Sequence, residues 1–549
     1  MDIKRAKQEI KDSIEAYLAK DEFGAYRIPA IRQRPILLMG PPGIGKTQVM
    51  DQIAKECRIG LVAYTITHHT RQSAVGLPFI REKNYGGKTF SITEYTMSEI
   101  IASVYDKIEQ TGIREGILFI DEINCVSETL APTMLQFLQG KTFGNQQVPE
   151  GWIIVAAGNP PEYNRSVRDF DVVTLDRLKK IDVEENFGVW KEYAYRQGIH
   201  PAVISYLELR KQNFYKVETT VDGKCFATAR GWEDLSQLIQ VYESLGKKTD
   251  REVISQYIQH QKIARDFANY LELYHKYKAD YGVEEILHGK WNTAVLQKVK
   301  AAAFDEHLKI VSLFNGKLSE LFTECFLSDA YVTRLYEYLL HYREGQEKRA
   351  GDRQAAEEID KSRIAETERT AGEQAAEGNG TGQVPEVSGS VRIPVSIGDE
   401  LHRAEKDLEE LEQKELLTRQ EEIILKRVIA ALERFTISVK GTLAAENTEF
   451  EAVKALFQKE VDAREALIEQ TSETLTHVFD FMEDAFGESQ EMVALITELN
   501  ANYYSVWFIN EYGCDQYYRY NKGLLFQERH QSIVREMDDV EELLNTGLK

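Results

Sequence analysis

The amino-acid sequence predicts an α/β protein: a three-layer αβα domain with a small helical lid, followed by a mainly helical C-terminal region. Three observations carry that reading. Pro35-Ile36-Leu37-Leu38-Met39 reads as a buried strand, and Val49, Ile53 and Ala54 then recur at helical spacing, with the glycine-rich stretch Gly40 to Thr47 (GPPGIGKT) between strand and helix. A second apolar run, Ile117 to Ile120, ends in Asp121-Glu122, as a parallel strand delivers acids to a site at its carboxyl end. Beyond Asn186 the apolar residues recur at helical rather than alternating spacing.

GPPGIGKT fits the pattern G-x-x-x-x-G-K-[ST] in the context that pattern needs, strand before and helix after. Glycines let backbone N–H groups close around phosphate oxygens, and the helix N-terminus adds a favourable dipole. The stretch Gly40, Pro41, Pro42, Gly43, Ile44, Gly45, Lys46 and Thr47 is therefore the candidate nucleotide loop, with Lys46 reaching the outer phosphates and the Thr47 hydroxyl binding Mg2+. Asp121 is the partner that holds the Mg2+ hydration shell, and Glu122 is placed to activate or orient an attacking water. Trp152 to Ala157 reads as the next buried strand and ends in Gly158-Asn159-Pro160-Pro161. An amide at that tip touches both a γ-phosphate and the water, so Asn159 is the candidate sensor; a turn-forming Asn before Pro is the alternative. Asn164 to Lys180 carries Arg165, Arg168 and Arg177 ahead of a last strand, Lys180 to Val183. Asp176-Arg177 is the candidate arginine finger, which stabilises transition-state charge in a neighbouring subunit.

Composition narrows the class. At 549 residues the chain is too long for one core, and two or three domains are expected. A formal charge of −22 argues against holding nucleic acid by broad phosphate neutralisation. Cys57, Cys125, Cys225, Cys325 and Cys514 are scattered without a C-x-x-C pair, which suggests neither a disulfide framework nor a zinc site and fits a reducing cytoplasm. The first residues are charged and helical rather than a signal peptide, and no apolar run approaches the roughly 18 residues of a membrane span. The expectation is a soluble cytoplasmic protein.

The remaining elements follow in order. Ile3, Ile10, Ile14 and Leu18 form one face of an amphipathic helix that either covers the nucleotide base or packs on the domain edge. Gly60 to Thr67 is a strand; His68-His69 beyond it is not read as a metal site, since neighbours on a strand face opposite ways. Gly76 to Tyr95 reads as a hairpin turning at Asn84-Tyr85-Gly86-Gly87, and Lys141 to Val148 as a shorter one turning at Gly144-Asn145. Between them, a helix from Met97 places Ile100, Ile101, Val104, Tyr105 and Ile108 toward the core, and one from Glu128 places Leu130, Met134, Phe137 and Leu138. Residues 1–185 make the nucleotide domain, 186–285 the lid and 286–342 a helical extension. Residues 343–396, lacking any aromatic, read as a disordered linker, with a solvated helix over 349–370 as the alternative. Residues 397–549 read as a helical bundle, with a stripe of Ile424, Val428, Leu432 and Phe435, a capping box at Thr448-Glu449-Phe450-Glu451 and a helix running on toward Gly487. Its end is aromatic, from Tyr503 to Tyr520, which suits core packing, a partner surface or base stacking.

GPPGIGKT, ILFIDEIN, AAGNPP and TLDRLKK, in this order, resemble the nucleotide, water-activating, sensor-1 and arginine-finger motifs of an AAA+ ATPase, and the two hairpins resemble insertions of its MoxR branch. Cys225 to Leu235 (CFATARGWEDL) is similar to the family's sensor-2 helix start, which makes Arg230 the cis arginine on the nucleotide. MoxR proteins commonly have proline before that arginine and phenylalanine after the finger, where this chain has Ala229 and Leu178. The resemblance covers roughly residues 20 to 290. It implies ATP and Mg2+ as ligands and a homo-oligomeric ring, a hexamer, in which catalysis draws on Glu122, Asn159, Arg177 and Arg230. It further implies a chaperone-like role on a protein client beside a partner with a von Willebrand factor A domain. Substrate contact is expected at the hairpins, through Phe79, Tyr85 and Phe143. A nucleic-acid motor and a nucleotide-gated scaffold are the competing classes; acidity and the absence of a DNA-binding motif count against the first.

Overall fold

The computed structural model describes residues 1–68, 74, 76–143, 146–163, 170–220, 223–370, 396–440 and 446–522. Its strands begin with β1 (Ile36–Met39), β2 (Gly60–Thr65), β3 (Pro78–Tyr85), β4 (Lys88–Tyr95), β5 (Gly116–Asp121), β6 (Thr142–Phe143), β7 (Gln146–Gln147), β8 (Trp152–Gly158) and β9 (Lys179–Asp182). Five of them form one parallel sheet in the order β2-β5-β8-β1-β9. Around it lie α1 (Ile3–Leu18), α2 (Lys46–Cys57), α3 (Glu99–Thr111), α4 (Ala131–Gly140) and α5 (Val172–Leu175).

The apolar runs read as buried strands because helices cover both faces of the sheet. Alternation sorts their side chains: Ile36 and Leu38 of β1 join Ile117, Phe119, Ile153 and Val155 in a layer with Ile10 and Ile14 of α1 and Val49 and Ile53 of α2. Leu37, Leu118, Ile120, Ile154 and Ala156 face the other layer, against Ile101 and Val104 of α3 and Met134 and Phe137 of α4. Of the two readings of the N-terminal helix, its apolar face is in packing. Tyr105, assigned to the core stripe of α3, is instead exposed, because the buried stripe is closed by Ile100, Ile101 and Val104. The long hairpin β3–β4 pairs in full register from Pro78–Tyr95 to Tyr85–Lys88 and keeps most of its surface in solvent. The short one, β6–β7, pairs Phe143 with Gln146; its Gly144-Asn145 turn lies outside the described residues. Phe143, expected to meet substrate, is buried and stacks on Phe137 with ring centroids 4.1 Å apart. An aromatic on a two-residue strand beside α4 gains more from that apolar layer than from solvent.

After β9 come α6 (Phe187–Gln197), α7 (Pro201–Leu209), α8 (Ala229–Ser244), α9 (Arg251–Tyr257) and α10 (Gln261–Asp280). Their aromatic core joins Tyr206, Trp232 and Phe267, with centroid separations of 5.1 to 5.7 Å. A hairpin sits among them, β10 (Lys216–Thr220) with β11 (Gly223–Ala227), where the sequence reading has helices alone. The missed signal is a pair of short runs with β-prone residues, Val217 to Thr220 and Cys225-Phe226, on either side of Asp222-Gly223 in the sequence.

The rest is helical: α11 (Val283–Leu287), α12 (Thr293–Lys300), α13 (Phe304–Thr370), α14 (Ile397–Gln413), α15 (Arg419–Lys440), α16 (Glu446–Phe486), α17 (Gln490–Ala501) and α18 (Tyr503–Tyr512). The expected linker from Arg343 is helix through Thr370, the solvated-helix alternative; 371–395 lie outside the described residues. Glu, Ala, Arg and Lys are good helix formers, and opposite charges three and four apart support a helix with no apolar face. The helix α16 starts at Glu446, ahead of the capping box at Thr448.

The chain divides into two compact units. One holds residues 1–324, 413–416 and those from 469 on; the other holds 325–412 and 417–468. The second unit has its own core, in which Tyr331, Leu335 and Tyr338 of α13 meet Ala404 of α14, Val428, Leu432 and Phe435 of α15 and Val453 of α16. The bundle read as one over 397–549 is thus shared between two cores. In the first unit, Phe314 contacts Phe481, and Phe508 contacts Phe322 at 5.0 Å. Of the terminal aromatics, Tyr504, Phe508 and Tyr517 are buried, whereas Tyr503, Tyr512 and Tyr518 are exposed.

The sheet leaves no room at its β2–β5 start. A methyl group added to Gly116 would stand 2.6 Å from the Gly60 carbonyl oxygen and 2.7 Å from the Trp152 ring, so Gly116→Ala should destabilise the domain by about 1–3 kcal/mol. Its thermal unfolding should shift down by several degrees; an unchanged midpoint would show that the strands yield.

Candidate active site

The site is assembled at the carboxyl ends of β1, β8 and β5, which are neighbours in the sheet although far apart in sequence. The loop after β1 turns through two left-handed glycines, Gly43 (φ 77°) and Gly45 (φ 92°), conformations that favour glycine, and Gly45 caps α2. Gly40 is required for a different reason: a Cβ there would meet the Val183 carbonyl oxygen at 2.8 Å.

Lys46 opens α2 and is 8 % exposed. Its ammonium donates to the carbonyl oxygens of Gly40 and Pro41, each at 2.8 Å, and to Oδ1 of Asn159 at 2.9 Å. Those contacts use all three donors of a lysine. Burial lowers its pKa to about 8, opposed by the pull of Asp121 and Glu122 and reinforced by Arg230. A phosphate oxygen entering the loop exchanges neutral carbonyl acceptors for a charged one, a stronger bond.

Asp121 ends β5. Its Oδ2 accepts from the Thr47 hydroxyl at 3.0 Å and its Oδ1 from the Glu122 amide at 2.8 Å. Thr47 and Asp121 therefore present two oxygens side by side, a hard donor pair of the kind Mg2+ takes. Glu122 sits in the left-handed region (φ 56°, ψ 34°), which costs a non-glycine residue energy and turns the chain sharply out of the strand.

One buried residue here is absent from the sequence reading. Asn124 is 2 % exposed and donates its amide to the Asn159 carbonyl oxygen at 2.8 Å, so it holds the β8 tip against the turn after β5. It also explains Gly158, where a Cβ would stand 2.6 Å from the Asn124 Oδ1. The signal available was a polar residue two positions beyond the paired acids, which has no distinctive spacing.

The helical segment after β9 closes on the same loop. Thr228 caps α8, accepting from the Gly231 amide, and the Arg230 amide donates to the Gly43 carbonyl oxygen at 3.2 Å. A Cβ on Gly43 would touch the Thr228 side chain at 3.2 Å. The Tyr215 hydroxyl donates to the Pro42 carbonyl oxygen at 3.0 Å, its ring lies edge-on to Tyr163, and Lys224 donates to the Tyr163 carbonyl oxygen. Arg177 is not gathered in. It is exposed behind α5 beside the exposed Val172 and Val173, and its guanidinium donates to Gln139 of α4. Arg165, Arg168 and His69 lie outside the described residues.

Residues 36–175 match the family model described as "ATPase family associated with various cellular activities (AAA)". No curated protein compared with the chain matches it. Among solved structures, one of a candidate ATPase from Cytophaga hutchinsonii aligns over 33 % of this chain and 51 % of its own, at 19 % identity and a TM-score of 0.20. The matched residues hold most of the parallel sheet and helices on both its faces, and a mostly helical region follows. No helix among the described residues is long and apolar enough to cross a membrane.

The lowered pKa has a directional consequence. Lys46 of the free protein loses its proton above about pH 8, whereas a bound phosphate favours the charged form. Nucleotide binding at pH 8.5 should therefore take up part of a proton, measured by titration calorimetry in buffers of different ionisation enthalpy. Lys46→Arg, charged throughout, should abolish the uptake; uptake unchanged in that variant would assign it elsewhere.

Proposed function

We propose that the protein is an ATP-hydrolysing AAA+ machine of MoxR type, which works as a homo-oligomeric ring and remodels a protein client. The observation that supports it best is the direct hydrogen bond between Lys46 of the loop and Asn159 of the β8 tip, beside the Thr47–Asp121 pair. On this reading the loop amides from Gly40 to Thr47 and the Lys46 ammonium hold the phosphates, and Thr47 and Asp121 hold Mg2+. Bound there, Mg2+ neutralises charge on the phosphate oxygens. Glu122 accepts the proton of the attacking water, Asn159 leaves Lys46 to orient that water and the γ-phosphate, and Arg230 senses the γ-phosphate from the lid. Arg177, exposed and remote from its own loop contacts, serves the neighbouring copy.

Client contact is assigned to the β3–β4 hairpin, where Phe79, Tyr85 and Phe90 are exposed on a ribbon paired only with itself among the described residues. Tyr85 and Phe90 pack on each other across the ribbon, with ring centroids 6.2 Å apart, and with Phe79 they leave apolar surface that suits contact with a client. A cytoplasmic location, a hexameric ring and a partner with a von Willebrand factor A domain complete the proposal; they rest on the motif resemblance.

Glu122→Gln should retain ATP binding and lower turnover at least about 100-fold, the scale of a lost general base. Arg177→Ala should be inactive alone, and mixing it with Glu122→Gln should restore part of the activity, because at interfaces where the Arg177→Ala subunit supplies the nucleotide site and the Glu122→Gln subunit the finger, an intact Glu122 meets an intact Arg177. Normal hydrolysis by Arg177→Ala alone would sink the assembly reading, whereas normal hydrolysis by Glu122→Gln would sink the catalytic one.

A further inference from the structure

The tip of β8 has few ways to hold itself. The ladder to β5 ends at the pair Ile120–Ala156 and the ladder to β1 at Met39–Gly158, so Asn159 stands just beyond both. The next two residues, Pro160 and Pro161, have no N–H with which to anchor the chain. A side chain takes over: the Asn159 carbonyl oxygen accepts from the Asn124 amide nitrogen at 2.8 Å.

Asn124 is itself fixed, and fixed to Glu122. It lies in the short turn Ile123–Cys125 directly after Glu122, which the Cys125 amide closes by donating to the Glu122 carbonyl oxygen at 2.8 Å. Ile123 before it and Val126 after it are buried in the apolar layer of α3 and α4. The Asn124 side chain is buried as well, filling the space that a Cβ on Gly158 would take. Glu122 and the Asn159 backbone are thus tied by one side-chain hydrogen bond, while the Asn159 carboxamide reaches away from it to accept from Lys46 at 2.9 Å.

We propose that Asn124 is a positioning residue for ATP hydrolysis: it fixes the Asn159 backbone relative to Glu122, so that the Asn159 carboxamide turns from Lys46 to the γ-phosphate and attacking water about a fixed point. The assignment rests on the ATPase reading and adds to it a residue that acts through Asn159. A shift of the sensor by about an ångström is enough to cost much of the turnover. Phosphate binding by the loop amides and Lys46 does not pass through Asn124, so affinity is spared.

Turnover and ATP affinity of the full chain, measured separately, test this. Asn124→Leu, which keeps a similar volume and removes the donor, should lower kcat about tenfold or more and leave the Kd for ATP within about threefold of the parent. In the Asn159→Ala background, which has no sensor side chain to place, the same substitution should cost about threefold or less in kcat, because the two residues act as a unit. Asn124→Asp, the same size as the parent side chain, should gain kcat relative to the parent as the pH is lowered from about 8 to 6, since burial favours the neutral carboxyl, whose O–H can donate to the Asn159 carbonyl oxygen. The assignment is overturned if Asn124→Leu turns over ATP like the parent, if its loss lies in Kd rather than kcat, or if the full loss persists in Asn159→Ala. An Asn124→Asp chain equally slow at both pH values would overturn it too. A parent chain that does not hydrolyse ATP would instead sink the ATPase reading, and the assignment with it.

Discussion

The ammonium of Lys46 is the interaction around which the site is arranged. A cation taken out of water is tolerated only when its hydrogen bonds are met, and here two loop carbonyls and the Asn159 side chain meet them. That requirement explains the surrounding geometry. The loop must fold back through two left-handed glycines to aim its carbonyls, and β8 must lie beside β1 to bring Asn159 within reach. Asn124 must then hold the Asn159 backbone.

The same loop is where the helical segment is attached. Its contacts include one between backbone atoms, Arg230 to Gly43, and one from the Tyr215 hydroxyl to the Pro42 carbonyl oxygen, so the guanidinium of Arg230 is left uncommitted by the contact that positions its backbone. Arg177 is exposed and its guanidinium is held by Gln139 of α4.

Much of the first domain was legible because its signals are local and chemically demanding. A glycine-rich loop between strand and helix, and an apolar strand ending in two acids, each require particular residue types at fixed spacing, and the structure brings Lys46, Thr47, Asp121 and Asn159 together through hydrogen bonds. What escaped has no such local signature. Asn124 works through a residue on another strand, Phe143 found its place by stacking on Phe137, and Tyr105 lies just beyond the stripe that α3 buries. The β10–β11 hairpin was hidden by the helical pattern on both sides of it. The aromatic-free stretch after Arg343 was read from its lack of apolar surface, whereas helix propensity and spaced charges carry α13 on to Thr370.

By itself the sequence determined the fold class, the alternation that splits the strands between two apolar layers, and the residue types at the nucleotide loop, because backbone conformation and phosphate chemistry leave few substitutes there. Only the tertiary structure decided which strand tips meet, since adjacency in the order β2-β5-β8-β1-β9 arises from crossover connections rather than from local pattern. It also decided how the C-terminal helices divide. Periodicity marks the apolar face of a helix and says nothing about its partner, so one continuous helical pattern from Glu446 to Phe486 serves two separate cores.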